Sequence, residues 1–434
     1  MTTRRCITGI LAGTLAGTSA FAQPIAPEAR QRVIDQTLTL IEQRYVFPDV
    51  AEKMAQSVRG KADFYEKITE ARQLATQLTA DLQAISRDKH LHVDYSEHPQ
   101  PLGTRGGGQP AGGSMSRSLA RDNYGVTRVE VLPGNIGYVA FRFLASARWA
   151  GDAYAALMNY LAHTDALILD LRACRGSMPD AIPLLASYFF DDAVHLVSFY
   201  DRPSNTTTQA WTYAYVPGKR YLEKPVFVLT SSATFSGGEE LAYDLQTLKR
   251  ATLVGEVTGG GANPGRPVRV DEHFSVWIPI GRAISPVTHT NWEGVGVQPD
   301  RVTAAALALH QARRMALDSL IQKNTADPDW QQRLHDERRR LEQLPLRFVK
   351  RAFVLKGFPD ARQVVVTGSF NFWHRQANSL TRSSDGWRAE VELEPGEHAY
   401  NFIVDGQWIT DPANPRTRQE GNQVNSVVFV GENQ

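Results

Sequence analysis

An α/β core, preceded by a helical N-terminal region and followed by a separate all-β domain of the immunoglobulin-like sandwich type, is the architecture the sequence predicts. Three observations carry it. Apolar residues recur at helical spacing from Pro27 to Leu82, buried-strand runs alternate with helical stretches from about Val126, and short alternating strands divided by turn clusters fill the chain after Leu346. With 434 residues, 42% hydrophobic and 21% charged, the chain is globular in composition and too long for one ordinary domain.

Taken in order, residues 1–22 read as an export signal. Arg4 and Arg5 form the positive start, Ile7 to Ala16 an apolar and small-residue stretch, and Ala20-Phe21-Ala22 a small-x-small cleavage site. That stretch, broken by Gly and Thr, falls short of the roughly 20 residues that span a bilayer, so no stable membrane anchor is expected. Cleavage would leave Cys174 as the one thiol, so a hydrophobic core rather than disulfides must hold the fold of a periplasmic or secreted protein. Residues 23–98 form the helical region and 99–122 a loop rich in Gly and Pro. Within 123–303, VTRVEVL, IGYVAFRFL, ALILDLR, PVFVLTS and TLVGEV read as strands, with Ala150 to His163 and Gly238 to Lys249 as helices. Residues 304–345, rich in Arg, Glu and Gln, read as exposed connecting helices, or as a charged face that docks a partner subunit. Residues 346–434 make the sandwich.

Lys plus Arg number 47 against 46 for Asp plus Glu, so no global field draws the chain to nucleic acid. No CxxC or HExxH occurs, and neither a metal nor an organic cofactor is expected.

The segment LTSSATFSGGEE, 229–240, carries the most chemistry. A buried strand runs into a polar turn, and Ser236 followed by two glycines opens a helix. Such a turn can lift a hydroxyl out of the fold, and the glycines let backbone N–H groups approach a carbonyl, aided by the helix N-terminal field. Taken alone, Ser-Gly-Gly at a helix start reads more readily as a helix cap than as a nucleophile. Three further segments change that: LDLRACRGS at 169–177, TLVGEVTGGGANPG from Thr252, and NWEGVGVQPD at 291–300.

In this order the four segments resemble the tail-specific, or C-terminal-processing, protease family, over about residues 28–303. The resemblance implies Ser236 as nucleophile and the N–H groups of Gly237 and Gly176 as the oxyanion hole. Members with a Ser-Lys dyad carry a lysine where this chain has Gly261. The branch without that lysine, which resembles the tricorn protease core and the interphotoreceptor retinoid-binding protein, implies a Ser-His-Glu arrangement with His90 as base and Glu293 as carboxylate. His92 and His289 are rival bases, and Lys89 stands where tricorn-like enzymes have a second serine. The chemistry agrees, since imidazole can take and return the serine proton while a carboxylate fixes its tautomer. Cys174 replaces an Asn and Ser177 a Gly of the family's turn, and Cys174 reads as a small buried residue rather than a nucleophile. Arg172 would pair with a core carboxylate or anchor a peptide end. No PDZ-like peptide-binding module is recognisable.

Over Phe348 to Val430, the segments VVVTGSFNFW, GEHAYNFIVDGQWITDPANP and GNQVNSVVFV resemble the glycogen-binding module of AMP-activated protein kinase. By position, the resemblance implies that Trp373 and Trp408 stack on glucose rings and Asn425 holds a hydroxyl. Asn401 stands in place of a sugar-contacting Lys, and Glu420 in place of a Leu. The expectation is thus an exported serine peptidase acting on peptides or proteins, with α-glucan as a second ligand. The alternative is a catalytically silent binder of a small apolar ligand or peptide, like the retinoid-binding relatives.

Overall fold

The computed structural model describes residues 23–100, 112–323, 326–420 and 423–431. The export-signal reading of 1–22 lies outside them.

Three amphipathic helices, Pro27–Arg44, Pro48–Arg59 and Ala71–Ser86, bury Val33, Leu38, Ile41, Met54, Leu74, Leu78 and Leu82 against one another. Helices alone do not complete this region. A three-stranded antiparallel sheet closes it, in which His92–Tyr95 pairs with Phe274–Pro279 and that strand with Gly265–Arg269. Val268, Val276 and Ile278 join the helical core from the far end of the next region.

The main sheet has six strands in the spatial order Arg301–Val302, Thr252–Gly255, Val226–Thr230, Ala166–Asp170, Ile136–Phe141 and Val126–Leu132. All its pairs are parallel except the last. Ala166–Asp170 and Val226–Thr230 are buried at every position, as strands covered on both faces must be. Helices Ala147–Leu161 and Gly237–Thr247 contribute to the core on one face.

The other face corrects an expectation. Helix Ala305–Lys323, read from its charge as an exposed connector, packs Ala308, Ala312, Ala316 and Leu317 onto the sheet with Ile168, Phe227 and Leu229. Alanine contributes little to a hydrophobic pattern, yet an alanine stripe at helical spacing lets a helix lie close on a sheet. Pro328–Gln343 returns across it, burying Leu334 and Leu341. A second difference lies in the Gly/Pro-rich stretch, where helix Gly112–Arg121 occupies part of the span read as loop. A third is the antiparallel sheet Gly281–Ile284, His195–Asp201 and Thr206–Trp211, which no segment pattern announced.

After Leu346 two antiparallel sheets face each other. One holds Val349–Leu355, Gly386–Leu393 and Thr381–Ser383; the other holds Val364–Gly368, Gly396–Val404, Gln423–Val430, Thr417–Glu420 and the short Gln407–Ile409. Phe353, Val364, Val366, Tyr400 and Phe402 fill the space between them.

Helix Gly237–Thr247 buries Asp244 with neither carboxyl oxygen hydrogen-bonded, one turn after Glu240. Burial, then the neighbouring Glu240, raises the Asp244 pKa well above the carboxylate range, and burial pushes Glu240 up to about 8. The folded chain therefore keeps protons that the unfolded chain releases, and stability falls as pH rises from the ordinary carboxylate range toward 8. Asp244→Asn, which cannot ionise, is expected to melt higher than wild type at pH 8, by roughly 2–4 °C for each kcal/mol regained. The gain should shrink at pH 5; an equal gain at both values would rule out ionisation as the cause.

Candidate active site

Strand Val226–Thr230 ends in a turn that side chains pin to the neighbouring strand end. Ser231 Oγ donates to the Arg172 carbonyl at 2.6 Å, Thr234 Oγ1 to that of Leu171 at 2.8 Å, and the Phe235 amide to that of Cys174 at 2.9 Å. Ser236 follows at φ 54°, ψ −122°, and helix Gly237–Thr247 starts directly after it. An ordinary serine cap has extended φ and ψ. Ser236 instead adopts a strained conformation between strand and helix, of the kind that can lift a hydroxyl out of the fold.

The two turns fit closely. A Cβ on Gly237 would lie 1.9 Å from Ser177 Oγ, and one on Gly238 2.8 Å from the Cys174 carbonyl oxygen. Gly176 sits at φ 157°, where an added Cβ would be 3.9 Å from Ser236 Cβ. Gly176 and Gly237 are buried, and among the described residues their N–H groups have no hydrogen-bond acceptor. Two unpaired amides beside one hydroxyl are a ready site for a carbonyl oxygen acquiring charge. Cys174 is fully buried, and burial pushes its thiol up to about 12, so it remains a thiol.

Glu239 ties the site together. Wholly buried, it accepts from the amides of Ser236 (2.8 Å), Gly260 (2.6 Å) and Gly261 (2.8 Å) and from the Thr258 hydroxyl. Burial raises it to about 7 despite these donors. Sequence reasoning gave it no role, although Ser-x-x-Glu at a helix start is the capping-box spacing that signals such a contact.

His90 lies in the bend between helix Ala71–Ser86 and strand His92–Tyr95. Its ring rests on Phe235, the neighbour of Ser236, at 4.6 Å between ring centres. A Cβ on Gly261 would be 2.7 Å from His90 Cε1, so the imidazole fills the space that a side chain at position 261 would need. Burial, then His92, lowers the His90 pKa to about 4, which keeps it neutral at working pH while making it a weaker base. Its Nδ1 is buried without a hydrogen bond, 4.0 Å from Asp88 Oδ1.

Glu293 Oε2 accepts from the amides of Ala262 (2.6 Å) and Asn263 (3.0 Å), while Oε1 is buried and unpaired. Burial, then the charge of Asp88, raises Glu293 to about 8. Asp88, which the sequence reading passed over, is fully buried and accepts from the His90 amide, Tyr45 Oη and Asn263 Nδ2. Donor atoms of Asp88, His90 and Glu293 lie within 4.8 Å of one another, close enough to hold a metal ion. No hydrogen bond among the described residues joins Ser236 to His90 or His90 to Glu293. Of the rival bases, His92 is engaged with the His90 carbonyl (2.7 Å) and Asp94 (3.2 Å), and His289 is exposed. Arg172 takes the structural role, paired with Asp170 at 2.6 Å.

In the sandwich, the Trp373 and Trp408 rings lie 6.1 Å apart at 40°. Trp408 is exposed and Trp373 half-buried, and their face is not remote from the core. Arg175, next to Gly176, donates to the carbonyls of Phe372 and Trp373, and Trp408 lines a cleft with Lys89 and Phe235. Asn425 is buried, held by Asn401 (2.8 Å) and Glu420 (3.1 Å), so the structure does not present it beside the two indoles as a free polar group.

Comparison with known proteins agrees with both resemblances. Residues 135–303 match the model of peptidase family S41, and residues 27–115 that of the N-terminal domain of Peptidase_S41 in eukaryotic IRBP. Residues 353–434 match the glycogen recognition site of AMP-activated protein kinase. Among curated proteins, the chain is 31% identical over 26% of its length to human 5'-AMP-activated protein kinase subunit beta-2 and 38% identical over 18% to the pig beta-1 subunit. It spans 39% and 64% of those two relatives. Among solved structures, a lipoprotein from Streptococcus agalactiae is 17% identical, with TM-score 0.47, covering 69% of this chain and 99% of that one. The photosystem II D1 C-terminal processing protease is 15% identical, with TM-score 0.40, covering 64% and 94%.

Proposed function

From a core matched to peptidase family S41, we propose that this chain is an exported serine peptidase, its C-terminal module adding affinity for α-glucan. Ser236 Oγ attacks the scissile carbonyl. His90 takes the serine proton and returns it to the leaving amine, and the N–H groups of Gly237 and Gly176 hold the oxyanion. Glu293 stabilises the imidazolium, and water then releases the acyl group. The observation that carries this reading is Ser236 in a strained turn beside two amides without acceptors. Export rests on the leader-like pattern of residues 1–22, and no helix among the described residues is long and apolar enough to cross a membrane.

A second reading, a silent ligand binder, is favoured by the missing Ser236–His90 hydrogen bond, although such bonds often tighten only when substrate is present. A fluorophosphonate probe separates the two. Intact mass should reveal one adduct on wild type and none on Ser236→Ala or His90→Ala; folded wild type that stays unlabelled assigns the chain to the binders.

The same probe tests the acid–base assignment. With His90 lowered to about 4, it is neutral throughout the working range. With Glu293 raised to about 8, its carboxylate form, which alone stabilises an imidazolium by charge, appears only as pH rises through 8. The labelling rate is therefore expected to climb between pH 7 and pH 9, and Glu293→Gln to be slower and to lose that climb. A profile unchanged in the variant would remove Glu293 from this role.

A further inference from the structure

The sandwich and the peptidase-like core enclose a cleft of about 720 Å³. From the core come Phe235 and Gly259, which flank the nucleophile turn, with Lys89 and Arg175; from the sandwich come His374, Arg375 and Trp408. Arg175 and Phe235 are the chain neighbours of Gly176 and Ser236, so the cleft lies alongside the serine turn.

Its lining is mainly cationic, with the Glu256 carboxylate, which accepts from the Ser232 amide at 3.1 Å, acting on His374 in the opposite sense. Lys89 Nζ donates to the Gly259 carbonyl at 2.6 Å, Arg175 to two sandwich carbonyls, and the Arg375 guanidinium lies 5.8 Å from the centre of the Trp408 ring. None of the three has an ion-pair partner among the described residues. Asp94 is the carboxylate in the lining, and His92 engages it. The crowding is felt by the neighbours. Burial, then Arg175 and Lys89, lowers the His374 pKa, and burial, then Arg375, lowers that of Arg175.

We infer that this cleft binds a run of acidic side chains in a polypeptide, so that Arg375 and Trp408 of the sandwich help to select what Ser236 cleaves. The second half rests on the peptidase reading; the first does not. Three cations converging from two sides call for several carboxylates, more than the single one at a chain end. A neutral glucan could stack on Trp408 but would leave the like charges uncompensated. An acidic segment neutralises them and can lay its aliphatic stems on Phe235 and the indole.

The test uses full-length Ser236→Ala protein and two C-terminally amidated fluorescent peptides, an oligoglutamate and its oligoglutamine counterpart, followed by anisotropy. Glutamate should bind about tenfold or more tighter at low ionic strength, the margin closing as salt is added. Arg375→Glu in the same background should bring the ratio near one, with melting unchanged as the fold control. Equal binding of the two peptides would overturn the inference, as would displacement of both alike by a maltooligosaccharide, which gives the cleft to sugar. Since binding is read without the serine, the failures are distinguishable. Acid-selective binding in a chain that fluorophosphonate never labels would sink the peptidase reading and leave the cleft, whereas equal binding in a chain that is labelled would sink the cleft alone.

Discussion

Ser236→Gly is expected to lower peptide hydrolysis by about 10⁵-fold and, in the same protein, to raise the melting temperature. On the peptidase reading, the loss follows from removing the nucleophile of a unit whose members act together. The stabilisation follows from the backbone: φ 54°, ψ −122° is costly for serine and open to glycine. Relief of about 1 kcal/mol is expected, part of the strain being offset by glycine's greater freedom in the unfolded chain. Ser236→Ala supplies the contrast, equally inactive but still strained. Hydrolysis assays and thermal melts of the two variants side by side decide the matter. A glycine variant that is active, or that melts no higher than the alanine variant, would show that the turn is not under catalytic strain.

The second large effect is on stability. Glu239→Ala leaves the amides of Ser236, Gly260 and Gly261 and the Thr258 hydroxyl without their shared acceptor in a dry setting. Buried donors stripped of a partner cost about 1–3 kcal/mol each, though not additively, and a loss of roughly 3–5 kcal/mol is expected in chemical denaturation. Glu239→Gln keeps the shape and one acceptor oxygen, so it should fall between the two. A Glu239→Ala protein as stable as wild type would mean that water takes over these donors, and the carboxylate would lose its organising role.

Much of this architecture was legible because its signals are local. The strands ALILD and VFVLT announced themselves by unbroken apolar runs, and the sandwich by alternation between turn clusters. What escaped had a physical reason in each instance. The helix Ala305–Lys323 hides its buried face because alanine carries little hydrophobic weight, while its arginines dominate the composition. Strand Phe274–Pro279 belongs by packing to a region that begins well before it in the chain, a long-range pairing that no window of sequence contains. At the proposed site, Ser236 and the glycines were nominated by a motif together with a resemblance, and His90 and Glu293 by the resemblance alone. Asp88 and Glu239 were not, since a buried carboxylate looks in sequence like any solvated one. Trp373 and Trp408 were found as a pair, but which way they face depends on how two folded units dock, and that is written in Arg175 and its two carbonyl partners rather than in either unit.

The strand that follows His90 has a further consequence, one of timing. His92 finds its register opposite Trp277, so the segment bearing the imidazole cannot be fixed until nearly the whole core has been synthesised and folded. The hydrogen bonds that pin the serine turn, by contrast, run between Leu171–Cys174 and Ser231–Phe235, within the core. A nascent or partly folded chain would therefore carry a hydroxyl without its base. On the peptidase reading, hydrolytic competence waits for that pairing, so a chain still short of Trp277 has no base fixed beside its serine.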